Sequence, residues 1–315
     1  MRSALFAFRV FGKRVVLNLR VFCGRTGLQS VDKSYAYEIS LGKDSAAART
    51  LSLVGHAKSV LEIGCASGSQ SKILAEQMEC AVTGVEINVK AAEAARPYCK
   101  NLIVGDIEQM DVADRLSGEK FDVVLFADVL EHLYNPLGAL RKLLACLKGD
   151  GYVVACIPNI VQISVIHGMI HGEFEYRKSG ILDDTHIRFF TRRSVFDLFT
   201  NAGLVIDHFD RWPIDIRRES VFYPRDESDR AVVEYIRTHN PECLTSHFII
   251  AASVHNADDD LNRRQARAEI ASLEKLALQK EAGACASEAT IRRLAADVAW
   301  LQRGFLRRVL GRLRR

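Results

Sequence analysis

No CxxC pair occurs among the eight cysteines of this 315-residue sequence, Cys23, Cys65, Cys80, Cys99, Cys146, Cys156, Cys243 and Cys285. Without paired spacing there is no zinc ribbon and no disulfide framework to read, so reduced thiols in a cytoplasmic setting are expected. Also absent is any apolar run of the ~18–20 residues that a bilayer-spanning helix needs. Arg9, Lys13 and Arg14 interrupt the apolar N-terminal stretch where a signal peptide would have its core, so no export is expected either. A content of 48% hydrophobic and 26% charged residues is that of an ordinary globular chain, neither disordered nor collagen-like.

Acidic residues are missing from both ends. Residues 1–31 hold six basic residues and no acid, and residues 303–315 hold six more, again with no acid. The intervening body carries 31 basic against 39 acidic residues, so an acidic body bears two basic tails. Plotted at 100° per residue, 2–22 puts Arg2, Arg9, Lys13 and Arg20 in one stripe opposite Phe8, Val10, Phe11, Val15, Leu19, Val21 and Phe22. The pattern predicts a basic amphipathic helix suited to a membrane surface. At the other end Ile270, Leu273, Ile291, Leu294, Val298, Leu301 and Phe305 follow 3/4 spacing, which predicts a long helix or short coiled coil able to mediate homo- or hetero-oligomers.

Between these ends, short β-branched runs alternate with helical patterns from Ser59 onward, as in SVLEIG, AVTGVE, NLIVGD, FDVVLFAD and GYVVACIPN. Such alternation is the signature of βαβ units, so the expected fold class is α/β, a doubly wound and mostly parallel sheet with helical N- and C-terminal extensions. LVIDHFD and HFIIAASVH read as a terminal antiparallel hairpin. The division expected is 1–50 as N-terminal extension, 51–256 as the main domain and 257–315 as the helical tail. Within the main domain, 160–190 follows a strand's carboxyl end, where a long segment covers the ligand crevice of a doubly wound sheet.

The strongest local signal is Glu62-Ile63-Gly64-Cys65-Ala66-Ser67-Gly68, a strand entering a glycine-containing turn that opens a helix. Glycines there let backbone approach a ligand, and the helix N-terminus offers free N–H donors. Glu86 ends the next strand 18 residues after Gly68, where a carboxylate can accept both hydroxyls of a ribose. Ile87 follows it. Asp106 and Ile107 follow the third strand, an acid and an apolar side chain placed to hold an adenine ring. Asp128, Glu131 and His132 follow the fourth, and at i, i+3 and i+4 they would share one face of a helical turn. Two readings stand for that trio: helix capping with a packing histidine, which is the expectation, or a divalent-metal site.

Taken together, ExGxxxG at Glu62–Gly68, Glu86, Gly105-Asp106, DxxEH at Asp128–His132 and Asp184-Thr185-His186-Ile187-Arg188-Phe189-Phe190-Thr191 resemble the class I S-adenosylmethionine-dependent methyltransferases. The branch is that of the ubiquinone-type O-methyltransferases and the methyltransferase domains of bacterial glycan clusters. The resemblance covers about residues 55–256 and implies a seven-stranded sheet with its last strand antiparallel. It implies a donor site in which Glu62, Gly64, Cys65, Ala66, Ser67, Gly68, Glu86, Ile87, Asp106, Ile107 and Asp128 bind S-adenosylmethionine. It also implies divalent-metal binding at positions matching Asp128, Glu131 and His132. Ala66 departs from the glycine many relatives carry, and its methyl group disfavours positive φ.

His132 and His186 are the candidate general bases, since an imidazole titrating near neutrality can take the proton of an acceptor hydroxyl. Arg188 is expected to pair with Asp183 or Asp184. The acidic body, lacking an NPPY-like motif and a long basic patch, speaks against nucleic acid as partner. The expectation is O-methylation of a small or lipid-linked acceptor, a saccharide intermediate first and a quinone or phenol second, at the inner face of a membrane. The rivals are a nicotinamide-dependent dehydrogenase, disfavoured by the missing GxGxxG spacing, and a non-catalytic donor-binding scaffold.

Overall fold

The computed structural model describes residues 39–214 and 226–254, together with the backbone of two strands, 4–10 and 13–19. Those two strands, β1 (Ala4–Val10) and β2 (Lys13–Leu19), pair antiparallel from Ala4 opposite Leu19 to Val10 opposite Lys13. They belong to a compact unit of their own. The N-terminal helix expected from the basic stripe is therefore a β-hairpin. Phe6, Phe8, Val10, Val15 and Val16 favour extended backbone, and only two residues separate the strands, the length of the commonest hairpin loop. The C-terminal helical tail expected over 257–315 lies outside the described residues.

The main domain carries α1 (Ala46–Val54), β3 (Ser59–Ile63), α2 (Ser69–Glu76), β4 (Ala81–Glu86), α3 (Val89–Ala95), β5 (Asn101–Val104), α4 (Val112–Arg115) and β6 (Phe121–Ala127). It continues with α5 (Pro136–Leu144), β7 (Leu147–Pro158), α6 (Ile163–Ile170), α7 (Arg192–Asn201), β8 (Leu204–Pro213), α8 (Glu227–His239) and β9 (Thr245–Val254). The sheet order is β5-β4-β3-β6-β7-β9-β8. β3 to β7 are parallel, and β9 runs antiparallel to both β7 and β8, as the sequence leads one to expect. Ile39 and Leu41 pack on the layer that contains Leu51 and Val54, so the domain's packing begins upstream of the boundary expected at residue 51.

Both faces of the sheet are covered, which explains why its strands read as continuous apolar runs rather than as alternation. Val60, Val123 and Leu125 pack on the face of α1 and α2, while Leu61, Ile63, Val124 and Phe126 pack on the face that includes Leu140, Leu143, Val195 and Phe199. Each such fully buried side chain contributes roughly 1.5–3 kcal/mol. The chain order reverses between β3 and β6, and the carboxyl ends of these two strands open a crevice, the usual ligand position in a doubly wound sheet.

Asp122 joins β3 to β6 at the opposite end of the same strands. It accepts from the Ser59 backbone N–H at 2.8 Å and the Ser59 hydroxyl at 2.7 Å, and it pairs with Lys148 Nζ at 2.9 Å. Burial alone would raise its pKa, but the Ser59 and Lys148 donors outweigh burial and bring it down to about 2. A carboxyl whose folded pKa lies below its unfolded one gives stability that is present above about pH 4 and lost as pH falls toward 2. Asp122→Asn is accordingly expected to cost about 1–2 kcal/mol in urea denaturation at pH 7 and roughly half as much at pH 3. Equal losses at the two pH values would show that ionisation of Asp122 contributes nothing.

Candidate active site

β3 ends at Ile63, and the following turn uses left-handed backbone three times, at Gly64 (φ 70°), Ala66 (φ 47°) and Gly68 (φ 84°). Gly68 has no room for a side chain, because a Cβ there would lie 2.8 Å from Ala95 Cα. At Gly64 a Cβ would lie 2.8 Å from Val129 Cγ2, so the turn after β3 and the turn after β6 approach each other closely. Ala66 accepts a conformation costing an L residue roughly 1–2 kcal/mol. Its N–H donates to Glu86 Oε2 at 2.9 Å, a charge-assisted bond that holds the turn open against that cost.

Glu86 links three strand ends. Its second carboxylate oxygen accepts from the Asn88 N–H at 2.8 Å, and its backbone carbonyl accepts from the Gly105 N–H at 2.9 Å. Asn88 in turn caps α3 through the N–H groups of Lys90 and Ala91. Each carboxylate oxygen of Glu86 retains a lone pair for a further donor. Ile87 beside it is 64% exposed at the rim. Asp106 is half-buried and accepts from the Glu108 N–H at 2.9 Å and from Gln109 Nε2 at 2.6 Å.

Three residues expected in the donor site have buried side chains. Glu62 is buried, and the Ser71 hydroxyl donates to its Oε2 at 2.5 Å, tying β3 to α2. Burial pushes the Glu62 carboxyl up to about 8, with the nearby Cys99 and Glu86 adding to the effect. Cys65 is buried too, its Sγ only 2.8 Å from where a Cβ on Gly84 would stand. Ile107 is taken up in the core with Val112 and Leu116. Around them Gly64 is exposed and Ala66, Ser67 and Asp106 are half-buried, so a motif read as one string divides into accessible and buried positions, with Glu86 buried but for its edge.

After β6, Asp128 takes left-handed backbone (φ 55°) and only Leu130–His132 forms a helical turn. The expected common face of Asp128, Glu131 and His132 therefore does not exist, and neither acid caps a helix: Asn135 caps α5 instead. Asp128 is exposed, with Oδ1 3.8 Å from His247 Nε2. What comes together is Glu131, His132 and His186, whose ligand atoms lie within 4.8 Å of one another. The His132 and His186 rings meet edge to face at 4.7 Å, and His186 Nε2 stands 3.9 Å from Glu131 Oε1.

The segment 160–190 brings His186 to this cluster: it contains α6 and then folds back onto the turn after β6. The N–H groups of Ile187 and Arg188 donate to the Glu131 carbonyl at 3.0 and 2.9 Å, and Asn159 pairs with Phe190. His132 Nδ1 lies 3.2 Å from the Thr185 carbonyl, and the Thr185 hydroxyl donates to Asp183 Oδ1 at 2.6 Å. His186 Nδ1 lies 2.9 Å from the Ile181 carbonyl. With Nδ1–H donated to a carbonyl, each neutral imidazole keeps its Nε2 lone pair. Arg188 Nε donates to the Tyr134 carbonyl at 3.2 Å, while Asp184 pairs with Lys178, so the expected pairing of Arg188 with Asp183 or Asp184 is replaced. Thr185 and His247 were not anticipated as neighbours of the site. Thr185 was visible in the DDTH string, and His247 at the start of β9 falls beside the end of β7 once the two are paired antiparallel.

Glu131 is fully buried, and neither carboxylate oxygen has a hydrogen-bond partner. Burial holds its carboxyl well above the usual carboxylate range, and the charge of Asp128 adds to this. Burial, with His186 nearby, lowers the His132 pKa. An orphaned carboxylate between two imidazoles fits the divalent ion that the resemblance implies, with His186 in the place expected for Asp128.

A family model described as a methyltransferase domain matches residues 40–208, over half of the chain. The chain belongs to this methyltransferase family. The ubiquinone biosynthesis O-methyltransferase of Histophilus somni is 36% identical over 101 residues, 30% of this chain and 42% of that protein. The protein of the same name from Cereibacter sphaeroides is 29% identical over 169 residues, 52% of this chain and 64% of that protein. The matches thus span about half the length of these curated relatives. A solved SAM dependent methyltransferase from Archaeoglobus fulgidus aligns at a TM-score of 0.45 and 21% identity, over 65% of this chain and 91% of that one. Among the described residues, no helix of this methyltransferase is long and apolar enough to cross a membrane.

Proposed function

We propose that this methyltransferase transfers the methyl group of S-adenosylmethionine to a hydroxyl of an aromatic, quinol- or phenol-type acceptor. In this reading Glu86 accepts the ribose hydroxyls, Asp106 holds the adenine amine, and the turn Gly64–Gly68 packs on the methionine portion. The acceptor hydroxyl then enters between the donor methyl and the Glu131–His132–His186 cluster. The sulfonium methyl is displaced onto the hydroxyl oxygen, S-adenosylhomocysteine leaves, and the hydroxyl proton passes to the free Nε2 of His132, which its lowered pKa keeps neutral. A divalent ion, if bound, would be held by Glu131, His132 and His186 and would polarise the hydroxyl, and the Nε2 of His132 would then hold the ion in place of the proton.

The observation that carries the choice of acceptor is the aromatic surface beside this cluster. Phe174, Tyr176 and Phe189 are exposed and meet edge to face, Phe174 at 5.5 Å from Tyr176 and 6.0 Å from Phe189. Phe189 directly follows the two residues that bond to Glu131, and Ile187 is exposed as well. Such rings suit a flat apolar acceptor more than a fully hydroxylated one. The ubiquinone O-methyltransferase name of the relatives points the same way. Incubation with methyl-labelled donor and parallel quinol, phenol and lipid-linked saccharide acceptors tests the reading. Label in the quinol or phenol fraction supports it, label in the saccharide fraction replaces the acceptor, and no label anywhere despite donor binding overturns methyl transfer to such hydroxyls.

A further inference from the structure

We propose that His167, His171 and Asp229 form a second site, for a divalent transition-metal ion of the zinc class. α6 carries His167 in its last turn, His171 is the residue that caps its C-terminal end four positions on, and the first turn of α8 supplies Asp229. The two helices are packed together by Ile163, Ile166, Val232, Val233 and Ile236, so the three side chains stand on rigid elements.

Both imidazole Nε2 atoms converge on one carboxylate oxygen, Asp229 Oδ1, at 2.5 Å from His167 and 3.1 Å from His171. The rings lie 4.6 Å apart at 59°, and the three ligand atoms fall within 4.8 Å of one another. Metal–ligand bonds of about 2.0–2.2 Å put neighbouring ligand atoms of a tetrahedral ion roughly 3.3–3.5 Å apart. Small side-chain shifts therefore open the triad to an ion. Two imidazoles and one carboxylate suit zinc, cobalt or nickel over magnesium or calcium. Each histidine binds as a neutral ring through Nε2, and Asp229 exchanges its two imidazole partners for the ion. Asp229 and His167 are mostly buried while His171 is 41% exposed, which leaves an entry path and an open coordination position. None of the three ligands belongs to the Glu131–His132–His186 cluster, so the site stands apart from catalysis. Its ion would pin α6, the first element of the segment covering the crevice, to α8.

The test is calorimetric titration of the full chain with ZnCl₂ and with CoCl₂, for the wild type, His171→Ala and His132→Ala. His171 is exposed enough that its truncation leaves the α6–α8 packing intact. One zinc equivalent is expected to weaken at least ~100-fold in His171→Ala and to persist in His132→Ala. Zinc is also expected to raise the Tm of the wild type by several degrees and of His171→Ala by about none. Identical stoichiometry and affinity in wild type and His171→Ala, loss only in His132→Ala, or no zinc binding by the wild type at about 100 μM would each reduce the cluster to two histidine–aspartate hydrogen bonds.

Discussion

Glu86→Ala is expected to raise the Kd for S-adenosylmethionine at least 100-fold while the protein stays folded. The carboxylate accepts from the Ala66 and Asn88 N–H groups, keeping the turn after β3 and the start of α3 in place. In the proposed function its remaining lone pairs take the ribose hydroxyls. Hydrogen bonds to a charged acceptor contribute about 1.5–3 kcal/mol each, so losing two to the ligand amounts to a factor of 100 or more before any loosening of the turn is counted. Glu86→Gln keeps one acceptor oxygen and should weaken binding about tenfold. Calorimetry with S-adenosylmethionine and S-adenosylhomocysteine checks both. An alanine variant that binds within threefold of the wild type would remove Glu86 from the donor site.

Truncating the imidazoles should leave the donor bound and stop the reaction. His132→Ala and His186→Ala are each expected to lower kcat by about 10²–10⁴-fold, the range for a positioned proton acceptor, with Kd for the donor unchanged within twofold. The two histidines differ in a further readout. His132 is held through Nδ1 by Thr185 and is the proposed acceptor of the proton, so added imidazole should partly restore His132→Ala. His186 is mostly enclosed between Ile181 and Glu131, and the same addition should restore His186→Ala less. A loss of under threefold in both variants would mean that alignment of donor and acceptor supplies the rate by itself.

Much of this architecture was legible because the main domain repeats one physical pattern. Four of the five apolar strands end in Gly, Asp or Glu and the fifth in Asn, and the parallel sheet and the terminal hairpin follow from that alternation, whereas the reversal of order between β3 and β6 is a tertiary fact that no local pattern states. The N-terminal segment was misread because one spacing serves two periods. Arg2, Arg9, Lys13 and Arg20 make a stripe at 100° per residue, yet the bulky residues between them favour extended backbone, and pairing between β1 and β2 prevailed. The site divides in the same manner. Gly64, Gly68 and Glu86 sit where a strand-to-turn reading puts them, because local backbone geometry decides their place. Asp128 does not, since its left-handed backbone ends the periodicity on which an i, i+3, i+4 argument depends. His186 joins Glu131 only through the folding back of a segment more than fifty residues downstream, a tertiary contact that no local pattern encodes. The inward turn of Glu62 and Cys65 was hidden because a binding turn and its support share one stretch of sequence.

The most direct test of the account is calorimetric titration of the full wild-type chain with S-adenosylmethionine, with NAD⁺ run in parallel. The crevice at the ends of β3, β4 and β6 is expected to take up one equivalent of S-adenosylmethionine with micromolar affinity and no NAD⁺. A cooperatively folded protein that binds no S-adenosylmethionine would contradict the account at its centre.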